Sequence, residues 1–316
     1  MLLKTVLIHI FLFVLGICSA AAQQLPEKGV PELISYTPSQ YHNSGKIWDI
    51  DSAPNGIVYM AADKGLLEFD GKNWRTYKGS DGFTRSLLVV SDSLIYTGSD
   101  LDFGVWEKNS YGSFEYRSLY PFRDDLAELS EEFWEVHRIG GNTLFVSDFN
   151  IYVYRDETLT KISAPDEFAG SYSLNGSLFF ADRSNGLYRL DDFTLQPIAA
   201  LPDEPEFEIT GMYEYDDGIV MATYSSGLYL YSSAGVTPVE NQLSQDLRAA
   251  GVFSFDRIGE SYLVFGTVQR GLQITDLDGN VIHFMNRNKG LPNNTILSIH
   301  YSPAGQLWLG MDYGIS

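Results

Sequence analysis

Residues 293–316 read NNTILSIHYSPAGQLWLGMDYGIS, and this stretch holds the repeating unit on which the fold prediction rests. An apolar segment around Ile296 and Ile299 meets a turn at Pro303, and a second apolar segment centred on Trp308 follows. Short apolar segments separated by turns that contain Gly or Pro predict paired antiparallel strands. The stretch therefore reads as strand, turn, strand, turn and the start of a third strand.

The same unit recurs along most of the chain. Its marker is a Gly, once replaced by Asn, at the predicted start of each third strand. These anchors are Gly65, Gly104, Asn150, Gly186, Gly227, Gly271 and Gly314. Neighbouring anchors are 36 to 46 residues apart. Because Gly and Asn tolerate a positive φ, we expect each anchor to leave its turn in that conformation.

A fourth apolar segment follows the third strand, for example at Trp74, Leu159 and Val281. Four short strands per repeat of about 40 residues is the pattern of a β-propeller blade. A solenoid or a sandwich is the alternative, but solenoid repeats are usually shorter or helical, and a sandwich has no reason to repeat. The sequence therefore predicts an all-β fold, a β-propeller, with residues 23–316 forming a single domain.

The anchors predict seven blades of four strands, with the last blade truncated at Ser316. Residues 33–36 precede the first repeat in the same way as residues 281–284 precede the last repeat. We therefore expect residues 33–36 to supply the outermost strand of the last blade. This N-terminal strand would close the ring and leave no open sheet edge. The acidic insertion at residues 123–132 predicts a solvated loop, with one or two helical turns as the alternative. The chain is interpreted as an N-terminal fragment.

Residues 1–22 have the features of a secretory signal peptide. A short basic start precedes an apolar run at residues 6–17, and small residues at 20–22 suit a signal peptidase. A lipoprotein anchor at Cys18, the only cysteine, is the alternative, although a bulky residue precedes it. We therefore expect an exported protein with a periplasmic or other extracytoplasmic location.

Charge and motif content argue against nucleic-acid binding and against catalysis. Acidic residues number 41 and basic residues 21, and the resulting net charge of −20 repels phosphate backbones. The histidines outside the signal share no metal-ligand spacing, and no nucleophile elbow or phosphate-binding loop is present. The segment at residues 276–279 resembles a calcium loop but lacks the downstream ligands, so it reads as a turn. No catalytic residue, metal or cofactor is predicted.

The turn between the second and third strands recurs in every blade and is the predicted ligand site. Propeller ligands bind at the mouth of the axial channel, where loops from all blades converge. The selected candidates for ligand binding are Lys64, Asp102, Asp148, Arg183, Tyr224, Arg270 and Tyr313. The same turns also carry Asp63, Asp100, Asn185, Gln269 and Asp312. Such groups suit a small polar ligand, although turns are polar in any case.

The aromatic residues of the strands are interpreted differently. We expect them to pack between blades rather than to form platforms for sugars. They are Trp48, Tyr59, Trp106, Tyr188, Tyr229 and Trp308.

The segments at residues 290–294, 305–310 and 313–315 together resemble the two-component-regulator propeller repeat. In that family a Gly-Leu-Pro-Asn-Asn lead-in precedes a strand, and an apolar-Trp-apolar-Gly strand and a Gly-apolar step follow. The match is looser in the first repeat, where Tyr59 and Ala61 stand for Trp and Gly. The resemblance covers residues 33–316.

Such propellers form the exported sensor region of large regulators, notably in Bacteroidetes. The resemblance implies a C-terminal triple-tyrosine β-sandwich, a membrane helix, and either a kinase with a response regulator or a DNA-binding output domain. It also implies an oligosaccharide or another nutrient as ligand. Whether the protein forms a homodimer is left open. The function predicted first is therefore an extracytoplasmic sensor of a transmembrane regulator. A secreted propeller enzyme acting on polysaccharide and a propeller that only docks a protein are the alternatives.

Overall fold

The apolar segments of the repeats form antiparallel strands, and consecutive strands pair within each repeat. The structure is a computed structural model that describes residues 31–42, 45–79, 82–121, 131–184, 186–204, 207–216 and 218–316. Within it, residues 34–316 form one compact unit. The predicted signal peptide, Asn185 and residues 123–130 of the acidic insertion lie outside the described residues.

Six sheets of four strands form the complete blades in the described part of the chain, and each is numbered here in chain order. Blade one comprises β1 (Ile47–Ser52), β2 (Val58–Ala62), β3 (Gly65–Phe69) and β4 (Trp74–Tyr77). Blade two comprises β5 (Thr84–Ser91), β6 (Leu94–Ser99), β7 (Asp102–Lys108) and β8 (Phe114–Ser118). Blade three comprises β9 (Phe133–Ile139), β10 (Asn142–Ser147), β11 (Asn150–Arg155) and β12 (Thr158–Ser163).

The next three blades follow the same order. Blade four comprises β13 (Phe168–Leu174), β14 (Ser177–Asp182), β15 (Gly186–Asp191) and β16 (Thr194–Ala200). Blade five comprises β17 (Ile209–Tyr215), β18 (Gly218–Thr223), β19 (Leu228–Ser232) and β20 (Gly235–Pro238). Blade six comprises β21 (Val252–Ile258), β22 (Tyr262–Thr267), β23 (Leu272–Asp276) and β24 (Val281–Met285).

The last repeat forms a two-stranded sheet of β25 (Ile296–Tyr301) and β26 (Leu307–Met311). The prediction of seven four-stranded blades is thus corrected to six. In the last repeat Ile315 makes only isolated bridges, to Gly310 and to Tyr36, because one residue offers too little backbone for a ladder. The bridge to Tyr36 has both hydrogen bonds, at 2.8 and 3.0 Å. The N-terminal segment therefore pairs with the last repeat, through Tyr36 rather than through a four-residue strand.

Three short helical segments lie in those connections that the structure describes. Helix α1 (Pro38–Tyr41) follows the ring-closing residue Tyr36, and a 3₁₀ turn (Arg287–Lys289) precedes the last repeat. Helix α2 (Gln242–Arg248) begins where the Asn241 side chain accepts a hydrogen bond from the Ser244 N–H, as an N-cap does. Its buried face packs against blades five and six.

The anchor prediction holds for four of the seven positions. The φ angle is positive at Gly65, Gly227, Gly271 and Gly314. The prediction is wrong for Gly104, which lies inside β7, and for Asn150 and Gly186, which begin β11 and β15 without a positive φ; in blade two it is Leu101, at φ 66°, that occupies the left-handed turn position. Gly65 meets a second constraint, since a Cβ there would lie 2.3 Å from the Tyr77 carbonyl oxygen.

Every innermost strand contains a β-bulge at the same place. The pairing of the first and second strands skips one residue directly after the first paired residue. The skipped residues are Trp48, Arg85, Trp134, Ala169, Thr210, Phe253 and Leu297. A bulge re-aims a side chain out of the normal alternation. The repeat therefore presents one re-aimed side chain per blade at one end of the ring.

The blades pack on each other through apolar faces. Tyr59 and Trp106 lie in one cluster with Leu87 and Ile95, which joins blades one and two. The predicted packing role is likewise confirmed for Tyr188, Tyr229 and Trp308, which contact clusters shared by neighbouring blades. Trp48 also contacts residues of other blades, Arg85 and Trp134, but the bulge places these contacts at the end of the ring.

Candidate ligand site at the channel mouth

A cavity of about 340 Å³ opens where the bulges of the innermost strands converge. Its wall includes the bulge residues of six blades, which are Trp48, Arg85, Trp134, Ala169, Thr210 and Phe253. Because six innermost strands contribute to one wall, the cavity lies at the mouth of the axial channel. Its volume is at the lower end of the range for small-molecule sites.

A second ring of residues surrounds the bulge residues. It consists of the residue directly after the second strand of each blade. Among the described residues, six of these donate their backbone N–H to the carbonyl that precedes the innermost strand of the same repeat; they are Asp63, Asp100, Arg183, Tyr224, Val268 and Asp312. The backbone therefore holds this outer ring beside the bulge ring, in the same geometry from blade to blade.

The bulge residues of the first three blades form a clamp, defined here as Trp48, Arg85 and Trp134. The guanidinium carbon of Arg85 lies 4.3 Å from the ring centroid of Trp48 and 4.7 Å from that of Trp134. The two indoles lie 6.1 Å apart at a steep angle. Cation–π contacts on two faces fix the guanidinium. The clamp leaves Trp134 37% exposed to the cavity.

Each clamp residue is held by an aspartate of the outer ring of its own blade. The Trp48 indole donates to Asp63 at 2.7 Å, and Arg85 donates to Asp100 at 2.7 Å. In blade three the indole of Trp134 donates to Asp148. The same bulge-to-turn pairing therefore orients three side chains before any ligand arrives.

The structure separates the seven predicted site residues. Asp148, Arg183 and Tyr224 line the mouth cavity together. Lys64, Arg270 and Tyr313 are exposed in the turns where they were expected, but they are not part of the cavity wall. Of the further turn residues, Asp63 and Asp100 orient the clamp, and Asp312 pairs with Lys46 at 3.5 Å.

Asp102 is placed differently from its prediction. The side chain is 2% exposed and accepts hydrogen bonds from the hydroxyls of Tyr116 and Ser118 in the neighbouring strand. It is the first residue of β7 rather than a turn residue, so it points into blade two. Asp102 therefore stabilises its blade and does not face the cavity.

Carboxylates of the wall have altered proton affinity. The pKa of Glu135 is raised to about 7, chiefly by burial and in smaller part by the nearby Asp148, although Ser171 donates to the carboxylate and lowers it. The pKa of Asp148 is itself raised, first by burial and then by Glu167. Burial, Glu135 and Glu208 also raise the pKa of Tyr172. The ionisable groups around the cavity therefore interact electrostatically with one another.

The bulge residues of the cavity wall were not predicted as ligand-site residues. Trp48 was named as a packing residue, while Arg85, Trp134 and Phe253 were not singled out. A signal existed in the aligned repeats, since all three stand one residue after the buried residue that opens the innermost strand. Periodicity alone would not have found it, because a bulge breaks the alternation of a strand.

Two further observations bear on function. Among the described residues, no group of three or more His, Cys, Asp or Glu side chains could hold a metal ion. No helix in the part of the chain that the structure describes is long and apolar enough to cross a membrane.

Comparison with known proteins finds similar solved structures, and these establish the fold. No protein-family model and no curated protein matches the sequence. The extracellular domain of a hybrid two-component system from B. thetaiotaomicron is similar in structure, with a TM-score of 0.66 and 19% identity over 86% of this chain and 38% of that one. A second such extracellular domain from the same organism matches with a TM-score of 0.66 and 18% identity, over 89% of this chain and 41% of that one.

An enzyme has the same fold. Virginiamycin B lyase from Staphylococcus aureus matches with a TM-score of 0.68 and 12% identity, over 90% of this chain and 98% of that one. The chain spans about two-fifths of the length of the two extracellular domains, but nearly all of the lyase. At these identities the likeness establishes architecture. The chain therefore has the β-propeller fold found both in extracellular domains of two-component systems and in a lyase.

Proposed function

We propose that this chain is the extracytoplasmic sensor propeller of a transmembrane regulator, and that its ligand binds at the channel mouth. The observation that carries the proposal is the mouth cavity, to which six blades each contribute a re-aimed side chain. Aromatic faces, guanidinium groups and carboxylates around one cavity supply the stacking and directed hydrogen bonds that a small polar ligand needs.

The fold likeness to extracellular domains of two hybrid two-component systems supports a location outside the cytoplasm. Together with the repeat motif at residues 290–294 and 305–310, it favours membership of the two-component-regulator propeller family. We expect the full-length protein to add a C-terminal β-sandwich, a membrane helix and an output domain. An oligosaccharide or another nutrient is the expected ligand.

The proposal is tested by calorimetric titration of the purified protein with soluble disaccharides and trisaccharides of glucose, xylose, mannose and galactose. We expect at least one to bind, and Trp134→Ala to weaken that binding at least tenfold, because it removes the exposed indole of the wall. The control is Tyr111→Ala, since Tyr111 is 94% exposed in the hairpin between β7 and β8, away from the cavity. Binding that Trp134→Ala leaves unchanged would contradict the proposal, and so would the absence of binding by these saccharides and by charged amino sugars alike.

A propeller enzyme acting on polysaccharide is the second candidate, and one observation favours it. Glu135 and Asp148 line the cavity with raised pKa values, as a general acid requires. The fold does not separate the two candidates, because virginiamycin B lyase shares it. Release of reducing ends from a polysaccharide panel, abolished by Glu135→Gln, would establish the enzyme. A sensor binds its ligand without such turnover.

A further inference from the structure

We propose that the ligand of the channel mouth carries a positively charged group, either a primary ammonium or a guanidinium. The cavity would hold this group between aromatic faces and carboxylates. The inference rests on the proposed function, because it specifies the chemistry of the ligand that the same cavity takes.

The charge of the wall gives the first argument. The lining contains three carboxylates, those of Glu135, Asp148 and Glu208, and two guanidinium groups, those of Arg85 and Arg183. Both guanidinium groups bond to carboxylates outside the lining, Arg85 to Asp100 and Arg183 to Glu167. These five carboxylates outnumber the two guanidinium groups, so the cavity wall and the residues behind it carry an excess of formal negative charge. A chain of net charge −20 adds to that field.

The carboxylates of the wall also repel one another. Burial is the main cause of the raised pKa of Glu135 and of Asp148; Asp148 adds to the first, and Glu167 and Glu132 add to the second, which Arg183 lowers. Like charges in a poorly solvated site disfavour each other's ionisation, and a cation among them reverses the effect. A positively charged ligand would therefore gain from each of these carboxylates. An anionic ligand would meet the same field as repulsion.

The aromatic residues give the second, independent argument. The mouth already uses its indoles to hold cations, because Trp48 accepts both the Arg85 guanidinium at 4.3 Å and the Lys46 ammonium at 4.9 Å. Trp134 and Phe253 line the cavity and remain 37% and 39% exposed. An aromatic face within about 6 Å of a cation attracts it, and the attraction grows where water is excluded. The exposed faces thus suit a further cation.

The size of the cavity limits the ligand. A volume of about 340 Å³ admits a small molecule or one terminal unit of a longer one. An amino sugar and an aliphatic amine both carry the required group, and the geometry fits either. The experiment therefore uses probes that separate the charged group from the sugar ring.

The test is calorimetric titration of the purified protein at about pH 6.5, where an amine is charged. The probes are D-glucosamine, D-glucose, N-acetyl-D-glucosamine and putrescine. We expect glucosamine to bind at least tenfold more tightly than glucose, acetylation of its amine to abolish the difference, and putrescine to compete. Glucose or N-acetylglucosamine binding as tightly as glucosamine would overturn the inference but leave the sensor proposal intact. Failure of these probes and of every neutral saccharide would count against both.

Two variants test whether the preference for a charged ligand arises at the cavity wall. Glu208→Gln removes one carboxylate from the wall, and we expect glucosamine affinity to fall five- to tenfold while glucose affinity stays the same. The control, Asp246→Asn, makes the same change in net charge on helix α2, outside the cavity wall. Equal losses in the two variants would show only general electrostatic attraction and would contradict a cation site at the mouth. Circular dichroism of both variants verifies that the fold is retained.

Discussion

Ser298 and Ile47 are 251 positions apart in the chain, and the Ser298 hydroxyl donates a hydrogen bond to the Ile47 carbonyl oxygen at 3.2 Å. The contact joins the innermost strand of the last repeat, β25, to that of the first blade, β1. The same bond recurs between other neighbours, from Ser86 to Phe133 and from Ser254 to Ile296. Ring closure therefore repeats a contact that already joins blades inside the ring.

Ser298→Ala should lower the free energy of unfolding by about 1 kcal/mol, because the variant loses one net hydrogen bond between buried groups. Ser254→Ala should cost a similar amount, since its hydroxyl makes the equivalent bond at 3.1 Å. Chemical denaturation measures both. The exposed Ser93 provides the control, whose alanine variant should lie within about 0.5 kcal/mol of wild type. A neutral Ser298→Ala would show that the bond does not contribute to ring closure.

Gly310→Ala should destabilise the protein by about 1–3 kcal/mol. A Cβ at position 310 would lie 2.2 Å from the Ser298 hydroxyl oxygen and 2.6 Å from a methyl group of Ile47. Glycine is thus required opposite the serine that joins the blades. Thermal unfolding checks the loss. The double variant Gly310→Ala with Ser298→Gly should recover part of it, because the closest of the contacts is then gone; no recovery would place the strain elsewhere.

Arg85→Met should destabilise the protein by about 2 kcal/mol and change tryptophan fluorescence. The Arg85 side chain is 10% exposed, and its loss leaves Asp100 and Glu132 without their cation. It also empties the space between the two indoles of the clamp. Arg85→Lys is the matched variant, which keeps the charge but lacks the planar group that stacks on both rings. If Arg85→Met had the tryptophan fluorescence and the unfolding free energy of the wild type, the stabilising role of the clamp would be contradicted.

Asp49 should make stability depend on pH. The pKa of Asp49 is raised to about 7, chiefly by burial and in smaller part by Asp51, although the Leu87 N–H donates to the carboxylate and lowers it. The folded state thus binds this proton more tightly than the unfolded chain, whose pKa is about 3.9. The wild type therefore loses stability as pH rises from about 4 to about 7.

Asp49→Asn removes that titration. Relative to wild type, the variant should gain about 1–2 kcal/mol of unfolding free energy across this window, a value reduced because Asp49 is partly exposed to solvent. Denaturation series at several pH values measure the difference. The control is Asp70→Asn, because the Asn73 N–H lowers the pKa of Asp70 and its contribution is lost as pH falls instead. A pH-independent difference for Asp49→Asn would contradict the prediction.

Three of the seven predicted ligand-site residues line the cavity, and the other four do not. Asp148, Arg183 and Tyr224 were predicted as neighbours because equivalent turns of a closed ring must converge. Asp102 was misplaced because a turn and the first residue of a strand look alike in sequence. The bulge residues were not predicted as site residues, because a bulge re-aims one side chain and no particular residue type marks its position.

The sequence by itself determined the all-β fold, the four-strand blade and the pairing of the N-terminal segment with the last repeat. Local turn chemistry and apolar periodicity specify the first two features, and both are properties of neighbouring residues. The third followed from the position of residues 33–36 before the first repeat, which matches that of residues 281–284 before the last. Only the tertiary structure decided how many complete blades form and which side chains meet at the axis. Trp48, Arg85 and Trp134 are separated by 37 and 49 positions in the chain. They meet because the ring brings the bulges of three blades to one end, and no local pattern encodes that approach.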